Sequence, residues 1–275
     1  MRSDSTPVRP WTFFALTFIL SWLIWIPLTL SHLGIGPFHI PEGTSSGVRL
    51  LGVLMPAVAA LLLTARAGGR GAVRSLLGRL TIWRVGWRWW AAAVLVSPGL
   101  LVLSGLVYNW FGGQPPITLL PQTSAVALII NVIFLLIATL GEEIGWRGVA
   151  LPALQQRHSA LSASLILGVV WATWHLPFWL LLDTYAQYGV SYLVLNYLLV
   201  VPMTPYITWL YNNGRSSLLL PVAYHISFNV VNVALLPVTP NIGAFAVFIV
   251  TQWVVALLVV RRILPASVKA QPSTM

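Results

Sequence analysis

Eight apolar runs of membrane-crossing length follow one another along the chain, at roughly 11–30, 48–65, 89–111, 125–148, 161–182, 190–211, 216–236 and 241–260. The segments between them are short and rich in glycine, proline or arginine. This pattern predicts an all-α polytopic membrane protein with about eight transmembrane helices, forming a single membrane domain over residues 1–275. Arg2 and Arg9 precede the first run, as in a signal peptide. That run is about 20 residues long and no small-residue cleavage site follows it, so it is expected to remain as an anchor. No internal repeat or low-complexity segment interrupts the series.

Composition sharpens the picture. Hydrophobic residues make up 58 % of the chain and charged residues 7 %, with a mean hydropathy of +0.85. A soluble domain carries roughly 25 % charge, so the solvent here is lipid. A net charge of +10 alone would suit nucleic acid. The charges lie at the ends of the apolar runs, however, which marks topology, and no nucleic-acid partner is expected. With the N-terminus placed in the cytoplasm, all of the 15 Lys and Arg residues except Arg49 fall on the cytoplasmic side. That bias predicts cytoplasmic termini and an even number of spans. The segment "RAGGRGAVRSLLGRLTIWRVGWR" (Arg66–Arg88), with six arginines and no acid, reads as a topology determinant lying on anionic headgroups. Trp87, Trp89, Trp90, Trp209 and Tyr211 read as interfacial anchors. The turn-rich Gly112–Ser124 segment falls outside and carries no catalytic residue type. Arginine outnumbers the single Lys269 so heavily that a GC-rich genome, and hence a bacterial inner membrane, is expected. The absence of cysteine removes disulfides, thiol nucleophiles and CxxC metal sites.

Against this background a few polar residues stand where lipid should exclude them. Glu142, Glu143 and Arg147 close the fourth run, His175 lies in the fifth, and His225 and Asn229 lie in the seventh. A charged group at mid-helix costs about 2.5–3.5 kcal/mol on insertion scales, so such side chains face a cavity or one another. Glu143 and Arg147 are four residues apart with the acid first, the favourable order for an ion pair. Glu142 is rotated by about 100° and is left for another task. One structural charge cluster stapling helices together is the alternative for all three. His225 and Asn229 share a helix face by the same spacing, as do Trp171 and His175. A carboxylate beside neutral histidines can deprotonate water or hold a metal that does so. Asn and His donors can stabilise the oxyanion of an attacked amide. Other intramembrane protease chemistries lack their parts, since the chain has no GxSxG and no HExxH. Gly141 and Gly145 form a GxxxG pair suited to close helix packing, and Pro177, Pro202, Pro205 and Pro221 are candidates for kinks that open a cavity.

These residues resemble a known family. "EEIGWR" (Glu142–Arg147) is similar to the EExxxR motif of the CAAX prenyl endopeptidase and bacteriocin-processing proteins, the type II CAAX protease and Abi group. "WATWH" (Trp171–His175) matches its FxxxH motif with tryptophan for phenylalanine, a change expected to tune pocket shape and not chemistry. "HISFN" (His225–Asn229) matches its HxxxN motif, so residues 125–235 form the expected catalytic core. The resemblance implies a glutamate-dependent intramembrane endopeptidase. In it, Glu142 and His175 activate water, His225 and Asn229 bind the oxyanion, and Glu143, Arg147 and Trp171 support the site. It leaves open whether no cofactor is needed or zinc is held by Glu142, His175 and His225. It also implies a peptide or protein substrate, lipidated or bacteriocin-like, met among membrane lipids. An immunity or scaffold role with dispensable catalysis is the alternative, followed by a proton-coupled transporter.

Overall fold

The computed structural model describes residues 8–41, 45–113, 124–235 and 242–263, and every regular element among them is helical. The helices are α1 (Pro10–His32), α2 (Ser45–Gly78), α3 (Trp87–Trp110), α4 (Ala125–Gly145) and α5 (Leu151–Gln155). They continue as α6 (Ala160–Trp174), α7 (Leu176–Trp179), α8 (Asp183–Tyr188), α9 (Val190–Asn213), α10 (Leu219–Leu235) and α11 (Ile242–Ile263). Six stretches are long and apolar enough to cross a membrane, namely α1, α2, α3, α4 with its continuation to Gln155, α9 and α11. Two shorter apolar helices, α6 and the first part of α10, complete the series. The protein is thus an all-α, polytopic membrane protein.

The two short helices are the ones that place His175, at the C-terminal cap of α6, and His225, within α10. At 15 residues α6 spans about 22 Å, less than the roughly 30 Å hydrocarbon core. A single helix was expected across 161–182, but α6 ends at Trp174 and α7 starts afresh at Leu176. Pro177 causes the break: it offers no N–H to the Thr173 carbonyl, and its ring crowds that carbonyl. The His175 N–H instead bonds the Ala172 carbonyl at 3.1 Å, a tight final turn. Pro221 sits in the first turn of α10, where a missing N–H costs little. Pro202 and Pro205 lie within an α9 that continues through them.

Helices α1, α2 and α4 pack side by side; α3, α9, α10 and α11 form a second group, with α6 against α9. Helix α10 also lies on α4 and joins the two groups. In lipid such contacts rest on close packing, because lipid tails are as apolar as the side chains. A Cβ on Gly145 would come within 2.8 Å of the Pro56 carbonyl oxygen, and one on Gly141 within 2.7 Å of Leu54. The GxxxG pair therefore seats α4 directly on α2. Helix α2 itself bends at Gly69, whose φ of 63° favours glycine, so its arginine-rich end leaves the axis of the span.

Candidate active site

The last turns of α4 place the acidic pair. After Gly145 the helix widens into a π-helical turn, Trp146–Ala150, all of it buried. Such wide turns occur mostly as single insertions in α-helices and often at functional sites. Here the turn carries Arg147 under the acidic pair. Glu143 Oε1 accepts from Arg147 Nη1 and from His225 Nδ1, both at 2.8 Å. The ion pair expected from the i, i+4 spacing is present, and His225 of α10 joins it. Glu143 and Arg147 are wholly buried.

Glu142 points elsewhere, as its 100° rotation requires. Its Oε2 accepts from Trp171 Nε1 at 2.7 Å, and no cation pairs with it among the described residues. Trp171 of α6 is the hub of the site. Its indole N–H holds Glu142, its ring face lies 4.7 Å from the Arg147 guanidinium carbon, and His225 meets its ring at 5.2 Å. Its carbonyl accepts from His175 Nδ1 at 2.9 Å. A carbonyl can only accept, so Nδ1 carries the proton and Nε2 of neutral His175 is left as an acceptor. The imidazole stacks on Trp179 (5.4 Å, 6°) and meets Trp174 edge-on at 4.6 Å, which fixes its plane. Tryptophan in place of phenylalanine thus does more than shape a pocket, because only the indole can donate to Glu142.

Asn229 lies one turn along α10 from His225, and its Nδ2 donates to Thr139 Oγ1 at 3.3 Å. Thr139 was not singled out from sequence, although it stands one helical turn before Glu143. The structure therefore gathers Glu142, Glu143, Arg147, Trp171 and His225 into one cluster. His175 joins it through Trp171, and Asn229 borders it through Thr139. Among the described residues no three His, Asp or Glu side chains are grouped to hold a metal ion, so Glu142, His175 and His225 do not form a ready zinc set.

The Rce1-like family of type II CAAX prenyl endopeptidases matches the chain over residues 121–231. CAAX prenyl protease 2 of Methanococcus maripaludis is 28 % identical over 255 residues, covering 86 % of this chain and 89 % of that protein. This chain is similar to the type II CAAX prenyl endopeptidases. The resemblance read from the three motifs is borne out, and all three lie inside the Rce1-like match.

One supporting element lies outside that Rce1-like stretch. Helix α1 clasps the break that carries His175: Trp22 Nε1 donates to the Trp174 carbonyl at 3.0 Å, and Thr29 Oγ1 to the Pro177 carbonyl at 2.9 Å. Trp174 Nε1 in turn donates to Ser21 Oγ at 2.8 Å, and the Ser21 hydroxyl donates to the Gly52 carbonyl at 2.9 Å. The clasp was missed in the sequence. Its trace is the run of Thr17, Ser21 and Thr29, small hydroxyls spaced by multiples of four in an otherwise apolar helix.

Proposed function

We propose that this chain is an intramembrane endopeptidase that hydrolyses a peptide bond near the membrane-embedded or lipidated end of its substrate. The likeness to CAAX prenyl endopeptidases supports an intramembrane protease. The observation that carries the mechanism is the division of the acidic pair. Glu143 takes both Arg147 and His225, while Glu142 is held by one neutral indole N–H and keeps basic oxygen for a water.

In this reading a water lies between Glu142 and Nε2 of His175. Its oxygen bonds to the scissile carbonyl carbon while its proton passes to Glu142. The carbonyl becomes an oxyanion, met by the second hydrogen of Asn229 Nδ2 and by Nε2 of His225, a role that requires a proton on both ring nitrogens. Glu143 supplies the counter-charge for that His225. The C–N bond then breaks, and the leaving amine takes the proton from Glu142. No step runs through a metal. The arginine distribution supports a bacterial inner membrane with both termini in the cytoplasm.

A second reading rests on the same ion cluster. Glu143, Arg147 and His225 tie α4 to α10, and an immunity or scaffold protein of this kind would need that tie without any hydrolysis. The test is cleavage of membrane-anchored peptides by the purified protein and by Glu142→Gln. Wild-type turnover with none from the variant supports the protease, and equal turnover refutes it.

A further inference from the structure

The arginine-rich end of the bundle holds a cavity of about 490 Å³ that the proposed chemistry does not use. Its lining includes Ser75, Arg79, Gln155, Asn212, Arg215 and Ser216, and no acid among the described residues. Arg79 lies in the short 3-10 turn Arg79–Thr81 that follows α2 and is half-buried. Its Nη1 donates to Tyr211 Oη at 2.9 Å and to the Gly148 carbonyl at 3.3 Å, both neutral acceptors. The ion pairs among the described residues all belong to Glu143, so nothing there balances the Arg79 charge. Tyr211 is buried under this contact and is no interfacial anchor.

Across the cavity, the turn between α9 and α10 holds Arg215 at φ 60° and Ser216 at φ 57°. Two successive non-glycine residues in the left-handed region are costly, and they define the turn that carries Arg215 to the cavity. Arg215 Nη1 donates to the Arg84 carbonyl at 3.2 Å, again a neutral partner. Gln155 Nε2 is a buried donor with no acceptor among the described residues. Two guanidinium groups and an amide without a partner among the described residues therefore border a polar space to which no described acid contributes. Guanidinium forks match the paired oxygens of a phosphate.

We propose that this cavity is a phosphate-binding site, filled by a phospholipid headgroup or by free phosphate. Because Arg79 also holds Gly148, one residue beyond Arg147, an anion there would brace the wide turn under the acidic pair. The site is independent of the hydrolysis proposed above, and its test uses no cleavage assay.

The full-length protein, delipidated in neutral detergent, is titrated with inorganic phosphate against chloride at equal ionic strength. In parallel, thermal melts are recorded in phosphatidylcholine nanodiscs with and without phosphatidylglycerol. Arg215 is exposed, so Arg215→Gln should fold; Arg88→Gln removes the same charge outside the cavity. A saturable response in either arm, weakened about tenfold in Arg215→Gln and kept in Arg88→Gln, is expected. A response to phosphatidylglycerol alone assigns the headgroup, and a response to both assigns the phosphate itself. No anion-dependent response in wild type, or equal loss in Arg88→Gln, overturns the proposal.

Discussion

Glu142 and Glu143 are adjacent in sequence, yet their carboxylates keep different company. Glu143 Oε1 sits 2.8 Å from both Arg147 Nη1 and His225 Nδ1, whereas Glu142 Oε2 meets the indole N–H of Trp171 at 2.7 Å. The 100° step of an α-helix separates the two tasks. One acid ties α4 to α10, and the other is the one to which the proposed mechanism gives the proton transfer.

Substituting each acid should therefore have distinct effects. Glu142→Gln keeps volume and a hydrogen-bond acceptor for Trp171, so peptide cleavage should vanish while the melting temperature barely moves. Glu143→Gln strips the charge partner from a wholly buried Arg147 and should cost about 3–5 kcal/mol of stability. Thermal melts beside a cleavage assay on both variants check this. A Glu143→Gln protein as stable as wild type contradicts the ion-pair role.

Trp171→Phe keeps an aromatic ring beside His225 but removes the N–H that holds Glu142. A hydrogen bond to a charged group is worth about 1.5–3 kcal/mol, so kcat should fall roughly tenfold or more. KM should stay near its wild-type value, since substrate is not the partner lost. An unchanged kcat would show that Glu142 is positioned by other contacts.

How much of this was legible in the sequence differs from part to part. The apolar runs reveal the helices because a spanning segment must be long and apolar, and buried charges are conspicuous in it. The Glu143–Arg147 pair followed from i, i+4 spacing alone. Its third member, His225, did not, because spacing within one helix says nothing about a partner 82 positions away. The break at His175 was signalled by Pro177, yet a continuous apolar pattern across 161–182 concealed it. Hydropathy counts side chains and is blind to a missing backbone N–H. The α1 clasp was hidden for another reason: Ser21 and Thr29 are small, and such residues are common in spanning helices.

That clasp predicts a role for a residue far from the motifs. Ser21→Ala leaves Trp174 Nε1 and the Gly52 carbonyl without their buried partner, which should cost about 1–3 kcal/mol. Because Trp174 adjoins the His175 ring, kcat should drop along with the melting temperature. Loss of stability with kcat intact would make the clasp purely structural.

The proposed orientation has a direct check, since the chain has no native cysteine to remove. Ser75 is exposed at the arginine-rich end of α2. A Ser75→Cys variant in intact cells should resist a membrane-impermeant thiol reagent and react after permeabilisation. Labelling from outside would invert the topology.

Finally, unequal losses should separate base from oxyanion hole. Asn229→Ala removes one donor while His225 remains, so kcat should fall by about 10²–10³ with KM little changed. His175→Ala should be more severe, because the water loses its Nε2 acceptor and the indole stack that oriented it has nothing to hold. Elemental analysis of wild type and His225→Ala tests the zinc set separately. Stoichiometric zinc that is lost with His225, and cleavage that chelators stop, would assign the water to a metal. Chelator-insensitive cleavage by zinc-free protein would leave it with Glu142 and His175. A fully active Asn229→Ala protein would remove Asn229 from the oxyanion hole and confine it to bridging α10 to Thr139 of α4.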